Sequence, residues 1–303
     1  MIDSIKKSSL EFFNTNGLPS KKLENWKFTS SKNFKNFNKS LSSDEVKKIE
    51  SDELSIVFIN GVLDKDSLEN FKFADLIEVK NLNELTKKEL LYCSESFLNE
   101  SMFNLGVSEF ENGSYISFKE NSVIEEVINI KNYFFENGQN ERMSSFNIFH
   151  INEGSEISII EEDIKENFSI FNLKLNKFIC ENSSIFKHGK SYNDDSQTHS
   201  LSYNYYQIEQ DVALNVDSMV KSSFFNKEFI EVDLNKVGSD AKINILNLGK
   251  EEQHVDNNIL INHKAEHCTS FQHVRNVLDN KSTAVFNGKV IVAEGAQQTD
   301  SNQ

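Results

Sequence analysis

The chain has 303 residues and a formal net charge of −15, and only two of its 32 basic residues are arginine, Arg142 and Arg275. This charge balance argues against binding to nucleic acid or to an anionic membrane, because both need clustered basic residues that neutralise phosphates. The sequence contains neither an apolar run of about 18 residues, which a transmembrane helix needs, nor a signal-peptide core. We therefore expect a cytoplasmic protein with no nucleic-acid and no membrane partner.

The first part of the chain, residues 1–105, is predicted to form a mixed, mostly helical N-terminal domain. Residues 2–13 place large apolar side chains near one helical face, and Asn16 with Gly17 supplies a stop signal. Ser42 and Glu45 have the capping-box spacing, which predicts the start of a short second helix.

A strand and a longer helix complete this N-terminal part. Leu54–Ile59 is typical of a strand, and Asn60 and Gly61 favour a hairpin turn because both residues tolerate positive φ. Residues 90–105 have apolar side chains at helical spacing, and Gly106 is the predicted C-terminal cap. The polar run 137–145 is predicted to be a loop.

Residues 106–303 form the predicted core, where turn-like clusters recur at a nearly fixed interval. The clusters are Asn152–Ser155, Glu181–Ser184, Glu209–Asp211, Gly238–Asp240 and Lys264–Glu266. Two further clusters, at Asp279 and Glu294, follow at roughly half the interval that separates the others. A fixed period of about 28 residues indicates one supersecondary unit that is stacked on copies of itself.

The strands between these clusters alternate apolar and polar residues. Phe171, Leu173 and Leu175 alternate with Asn172, Lys174 and Asn176, and Ile230, Val232 and Leu234 alternate with Glu231, Asp233 and Asn235. A left-handed hexapeptide helix uses turns of only about 18 residues. The longer period predicts a right-handed parallel β-helix, or flattened β-solenoid, whose turns share an aliphatic interior. The alternative is an antiparallel sandwich, which also has closely spaced strands.

The cysteines give no sign of a metal or redox site. Cys93, Cys180 and Cys268 are far apart and fit no C-x-x-C or zinc spacing. We therefore expect structural thiols in a reduced compartment.

The most ligand-like group is His263, His267, Cys268 and His273, because imidazole and thiolate bind iron and zinc. On a strand, residues four apart lie about 13 Å from each other, too far to share an ion. Only a turn at Lys264–Glu266 could bring the first two histidines together. Core or solvated histidines are the favoured interpretation over a metal site.

Acidic residues near strand ends offer a second candidate. Glu161–Asp163 follow an apolar strand, but consecutive strand residues point to alternate faces and cannot all converge, so a solvated strand end is predicted. The same interpretation is given to Asp194 and Asp195 beside His199, and to His188–Lys190. No Gly-rich phosphate loop, G-x-S-x-G or H-E-x-x-H motif is present. We therefore assign no catalytic, cofactor-binding or metal-binding residue.

Short motifs at both ends of the chain carry a family resemblance. Gly17–Pro19 followed by Glu24–Thr29 resembles the opening of SufD subunits of the SUF iron-sulfur cluster assembly machinery. Phe286–Lys289 and the pattern from Ala296 to Gln303 resemble the end of the core domain that SufB and SufD share. The tryptophan-containing motif, which SufB lacks in this form, favours SufD.

The resemblance implies a non-catalytic subunit in a complex with a SufB-like paralogue and a SufC-like ATPase. It implies a helical N-terminal region, a right-handed parallel β-helix core and a C-terminal helical domain that docks on the ATPase. It implies no cofactor bound tightly by this chain, and iron or an iron-sulfur cluster held transiently only in the assembled complex. In the family, further segments follow the motif that here ends at Gln303, so we expect a fragment or a truncated relative and carry over no ATPase-binding residue.

Two other functions are compatible with a parallel β-helix. One is a polysaccharide lyase or hydrolase, but such enzymes are usually exported and line a groove with paired carboxylates and basic residues. The other is a purely structural solenoid.

Overall fold

Two long parallel sheets, built from strands that alternate along the chain, form the protein. The structure is a computed structural model that describes residues 2–40, 49–86, 95–136, 138, 140–165, 168–193, 198–221 and 224–303. The strands are β1 (Asn38–Lys39), β2 (Ser55–Ile59), β3 (Val62–Leu63), β4 (Ile77–Asn81), β5 (Ser114–Phe118), β6 (Ile128–Phe134), β7 (Glu141–Ile151), β8 (Glu156–Lys165), β9 (Ile170–Cys180), β10 (Ile185–Asn193), β11 (Thr198–Ile208), β12 (Ala213–Lys221), β13 (Phe225–Leu234), β14 (Asp240–Gly249), β15 (His254–His263), β16 (Thr269–Leu278), β17 (Thr283–Val292) and β18 (Asp300–Asn302).

The helices of the described chain all lie before Phe110. They are α1 (Ile2–Asn16), α2 (Lys65–Glu69), α3 (Glu95–Leu98) and α4 (Ser101–Glu109), with short 3-10 helices at Glu24–Trp26, Lys32–Asn36, Ala74–Leu76 and Leu82–Glu84. None of these helices combines the length and hydropathy needed to cross a bilayer.

From β5 onward, odd-numbered and even-numbered strands form separate sheets. Sheet A has the order β17-β15-β13-β11-β9-β7-β5-β4, with β1 beside β7, and sheet B has the order β18-β16-β14-β12-β10-β8-β6-β2-β3. From β5 and β6 onward, neighbouring strands within each sheet are parallel. The chain therefore winds from sheet A to sheet B and back, giving a parallel β-solenoid of about six turns in the described residues. The predicted solenoid is confirmed, and the antiparallel sandwich is excluded.

The strand register reproduces the period read from the sequence. In sheet B, Ile185 is paired with Ala213, Ala213 with Asp240, and Asp240 with Thr269. Each of these steps covers about 28 residues, the same interval that separates the turn clusters. One period is therefore one complete turn.

The turn clusters lie where the chain passes from sheet A to sheet B. Four of the five clusters that are a full period apart contain a residue with positive φ, namely Gly154, Ser183, Asp211 and Gly238, and in the fifth turn this residue is His267, directly after Glu266. The backbone N–H of Gly154 donates to the carbonyl of Asn182 at 3.1 Å, and that of Ser183 donates to the carbonyl of Gln210 at 2.8 Å. Such bonds satisfy turn backbone groups that would otherwise lack partners, so the turns stack in register like the strands.

The interior between the sheets is only partly apolar. Ile230, Val232 and Leu234 are buried in the central apolar cluster, as the alternation predicted. The apolar side of β9 faces the opposite way: Phe171, Leu173 and Leu175 belong to a second cluster, on the outer face of sheet A. The shared apolar interior is therefore confirmed, but it is interrupted where β9 directs its polar row inward.

The outer face of sheet A is covered by the N-terminal segment, residues 18–37, and by α4. Trp26 is fully buried there, with its ring 6.2 Å from those of Phe34 and Phe229. The indole Nε1 donates to Glu100 Oε2 at 3.1 Å. Trp26 is therefore a packing anchor that ties the N-terminal segment to sheet A.

Several local predictions for the N-terminal part are confirmed. Helix α1 ends at Asn16 and is followed by Gly17, whose φ is 66°. The hairpin of β2 and β3 turns at Asn60 and Gly61, with φ of 49° and 83°. The predicted capping box at Ser42 and Glu45 lies outside the described residues.

Other local predictions are corrected. The helical part is small, because β2 and β4 of this region join the two sheets of the solenoid. Gly106 lies inside α4 rather than at its end, where an added Cβ would be 3.1 Å from Leu173 and from Leu175. The run predicted as a loop includes the start of β7 at Glu141. The domain boundary near residue 105 stays a prediction.

Candidate functional site

Ionisable side chains lie inside the solenoid, between the two sheets. Lys174 of β9 donates to Glu161 Oε1 and to Asp163 Oδ1 of β8, each at 2.9 Å. The side chains of Lys174, Glu161 and Asp163 are only 3%, 7% and 9% exposed. Asn132 of β6 donates to both carboxylates, at 3.0 and 3.1 Å. We call these four residues the inner ion cluster.

A second buried ion pair lies inside the solenoid, further towards the later turns. Lys190 of β10 forms an ion pair with Glu228 of β13, and both side chains are fully buried. Asn204 donates to the same carboxylate at 2.9 Å. His188 lies between the two groups, with Nε2 3.4 Å from Glu161 Oε2 and Nδ1 2.8 Å from the hydroxyl of Tyr206.

Electrostatics explain why these charges are tolerated inside. Burial alone raises the pKa of Glu161, but the charge of Lys174 and the hydrogen bond of His188 outweigh burial and lower that pKa. Burial raises the pKa of Asp163, and the neighbouring Glu161 raises it further. Burial disfavours the charged ammonium of Lys174, but the two carboxylates raise its pKa well above the usual value. The cluster therefore holds one cation between two carboxylates of unequal acidity.

This arrangement corrects the expectation of solvated strand ends. Glu161 and Asp163 point inward while Glu162 lies on the other face of β8, so the predicted alternation holds but the predicted environment does not. His188 and Lys190 are also buried rather than solvated. Asp194 and Asp195 lie outside the described residues, and His199 packs against Phe37 on the outer face of sheet A.

The histidine and cysteine group on β15 and β16 does not converge. His263 points inward, with Nε2 2.8 Å from Ser270 Oγ, whereas His267 is exposed in the turn. Cys268 is buried, and its Sγ donates to the carbonyl of Lys236 at 3.2 Å. His273 is exposed on the outer face of sheet B. The structure therefore does not assemble these residues, and among the described residues no group of three or more His, Cys, Asp or Glu could hold a metal ion.

Thr29, His254 and Asp256 form a contact whose residue types resemble a hydrolase triad. Thr29 Oγ1 lies 2.9 Å from His254 Nε2 and donates to the carboxylate of Asp256, which also pairs with Lys227. The threonine is 1% exposed, so its hydroxyl cannot reach a substrate. This network instead ties the N-terminal segment to β13 and β15.

An open groove of about 470 Å³ crosses the outer face of sheet B. It runs from Ile160 and Gly189 to His273 and Arg275. Its only carboxylate among the described residues is that of Asp217, which accepts a hydrogen bond from Asn244 Nδ2 at 2.9 Å. Glycoside hydrolysis uses a pair of carboxylates. The groove therefore gives no support to a polysaccharide hydrolase.

The last turn of the solenoid has exposed apolar side chains. Leu234, His263 and Val292 occupy equivalent inward positions of β13, β15 and β17, and their exposures are 0%, 0% and 52%. Phe286 and Leu278 are 41% and 44% exposed. In the described residues β17 is paired with β15 alone and β18 with β16 alone. Each of these strands therefore has one unpaired edge.

The comparison with known families agrees with this architecture. Residues 134–303, more than half of the chain, match the family described as SUF system FeS cluster assembly, SufBD core domain. The chain belongs to the SufBD core family. Membership places it among the components of iron-sulfur cluster assembly by the SUF system. No curated protein matches the chain.

The matched part of this SufBD core chain contains all of the strands from β7 to β18. It also contains most of the inner ion cluster, which sequence reasoning missed. A signal was present, because Glu161 and Asp163 share the strand parity of inward Ile157 and Ile159. The inward position of these carboxylates was not predicted because charged residues usually face solvent.

Proposed function

We propose that the chain is a non-catalytic, SufD-type subunit that supports iron-sulfur cluster assembly in a complex with a SufB-like paralogue and a SufC-like ATPase. The observation that carries the proposal is the SufBD core match over the turns of the solenoid. The motif around Trp26 supports SufD over SufB, and its burial on sheet A gives that motif a structural role in the subunit.

Co-purification tests this function. The tagged chain is co-expressed with the SufB-like and ATPase subunits encoded in the same genome, and the complex is isolated by affinity and size-exclusion chromatography. We expect both partners to be recovered with the chain. Absence of both from every preparation contradicts the proposed function.

Three finer points belong to the same proposal. The solenoid is right-handed, because strand–crossover–strand connections between parallel strands have that hand in about 98% of cases. The protein acts in the cytoplasm, which fractionation of cells would test. The purified chain alone binds no cofactor tightly, which measurement of its iron and acid-labile sulfide content would test.

A further inference from the structure

A cavity of about 290 Å³ lies on the outer face of sheet A. Strands β13, β15 and β17 form its floor, and residues 23–25 and 96–100 form its walls. Leu23, Phe97 and Leu260 are the apolar part of the lining. Ligand sites in proteins begin at about 300 Å³, so the cavity has room for a small molecule or for a single side chain.

Hydrogen bonds within the protein orient the amide side chains of this cavity. Asn258 Nδ2 donates to Asp256 Oδ1 at 2.7 Å. Asn287 Nδ2 donates to Asn25 Oδ1 at 3.4 Å, and Asn25 Nδ2 donates to Glu100 Oε1 at 3.4 Å. Among the described residues, nothing donates to the side-chain oxygen of Asn258 or of Asn287. The cavity therefore presents two free acceptor oxygens.

Asn258 is the more informative of these two residues. It is only 7% exposed, and its side chain lines the cavity. A buried acceptor that lacks a hydrogen-bond partner costs about 1–3 kcal/mol, and such groups are rare in native proteins. Asn258 is paired in register with Asn287 on the next strand, about 4.8 Å away. A ligand that donates hydrogen bonds would satisfy both oxygens at once.

The charged side chains of the lining are Glu24, Glu100, Glu231 and Lys289. Carboxylates therefore outnumber ammonium groups by three to one. Burial raises the pKa of Glu100, and the hydrogen bonds from Trp26 and Asn25 only partly offset this effect. A cation beside this carboxylate would therefore be stabilised.

Other lysines near the cavity do not cancel its negative charge. Lys227 is buried, and its ammonium is paired with the carboxylate of Asp256. Lys21, Lys22 and Lys27 are exposed and lie outside the lining, so water and salt screen their charges.

We propose that this cavity binds an organic cation, an alkylammonium or alkylguanidinium group. Its nitrogens donate to the free oxygens of Asn258 and Asn287 and meet the carboxylate of Glu24, while its alkyl part contacts Leu23 and Phe97. Such a cation carries the opposite charge to the carboxylates and has hydrogen-bond donors but no acceptors. The site is separate from the inner ion cluster and lies on the opposite sheet from the 470 Å³ groove.

Titration of the full chain with n-butylguanidinium tests the proposal. Trp26, the only tryptophan, reports on the site because its Nε1 donates to Glu100 Oε2 at 3.1 Å. The comparison probes are n-butanol, which lacks the charge, and butyrate, whose charge is opposite. We expect a saturable change in tryptophan fluorescence with n-butylguanidinium, at least about tenfold tighter than with either comparison probe, and weaker binding at high salt.

Variants of the chain locate the binding. Glu24→Gln and Asn258→Leu are each expected to weaken binding about three- to tenfold, whereas Lys289→Met removes a like charge and should strengthen it about twofold. Glu11→Gln is the charge-matched control, because Glu11 is exposed on α1, and its affinity should stay unchanged. Circular dichroism melting checks that each variant is folded, and Glu24→Gln alters only an exposed side chain.

A blocked leucine–arginine–leucine peptide identifies the source of the cation. Binding at least about tenfold tighter than that of n-butylguanidinium indicates an arginine of a partner protein, and weaker or equal binding indicates a free small molecule. Three results would overturn the proposal. They are no saturable binding of n-butylguanidinium up to about 10 mM, equal affinity for n-butanol, and equal effects of Glu24→Gln and Glu11→Gln.

Discussion

Replacing Lys174 with methionine probes the inner ion cluster most directly. The substitution keeps the length and apolar stem of the side chain but removes the ammonium that lies 2.9 Å from each of two buried carboxylates. Glu161 and Asp163 are then left with Asn132 and their neighbours as donors but without a cation. Removing one partner of a buried ion pair typically costs about 3–5 kcal/mol, a large part of the 5–15 kcal/mol that stabilises a domain.

Urea unfolding followed by tryptophan fluorescence measures this cost, because Trp26 is the only tryptophan and is buried against sheet A. Lys281→Met is the control: Lys281 has 82% side-chain exposure and its loss should change stability by no more than about 0.5 kcal/mol. The triple variant with Glu161→Gln and Asp163→Asn should recover most of the loss, because neutral amides need no cation.

The pH dependence gives an independent check. Without Lys174, burial raises the pKa of both carboxyl groups in the folded state, so protonation stabilises the variant. Its deficit relative to the wild type should therefore shrink as the pH falls from about 7 to 5. A loss below about 1 kcal/mol at pH 7, or a deficit that grows on acidification, would refute the assignment of a dry, ion-paired interior.

Burial of single side chains supports three further predictions. Trp26→Ala should lower the free energy of unfolding by about 3–5 kcal/mol, whereas Phe28→Ala, at a side chain that is 65% exposed, should change it little; similar losses in urea unfolding would contradict the anchor role. Burial lowers the pKa of His254 in the folded chain, so on acidification this histidine is protonated first in the unfolded chain, which lowers the free energy of unfolding. His254→Gln should therefore reduce the loss of unfolding free energy between about pH 7 and 5, and an unchanged pH dependence in urea unfolding would contradict this. Burial raises the pKa of the Cys180 and Cys268 thiols, so iodoacetamide should label them only after unfolding, and rapid labelling of the native chain, read by mass spectrometry, would contradict their burial.

The repeat could be predicted because solenoid turns of fixed length give a regular spacing of turn residues, which is visible in the sequence without tertiary information. Each turn cluster requires a residue that accepts positive φ or a small polar residue, and these recur with the same period as the strand register. The hairpin at Asn60 and Gly61 was predictable for the same local reason.

The inside and outside of sheet A could not be predicted in this way. Alternation shows that Leu173 and Lys174 face opposite sides of β9, but it does not show which side is the interior. The answer depends on the N-terminal segment, which lies far earlier in the chain and buries Phe171 and Leu173 from outside. Lys174 is then directed inward, where carboxylates on β8 compensate its charge.

The separation of the histidine group also depends on the chain path. His263 and Cys268 flank a turn, and the turn reverses the chain from one sheet to the other. Both side chains become interior while His267, in the left-handed region, stays exposed. Closeness in sequence therefore did not become closeness in space.

Hydrogen exchange over the whole chain tests most directly the proposal that this solenoid is a subunit of a larger complex. Backbone amides are compared in the isolated chain and in the complex with the proposed SufB-like paralogue, with β9 and β11 as internal references. We predict that exchange of at least one surface segment slows at least about tenfold on complex formation while exchange at the central strands stays unchanged. Unchanged exchange in every segment would contradict the account.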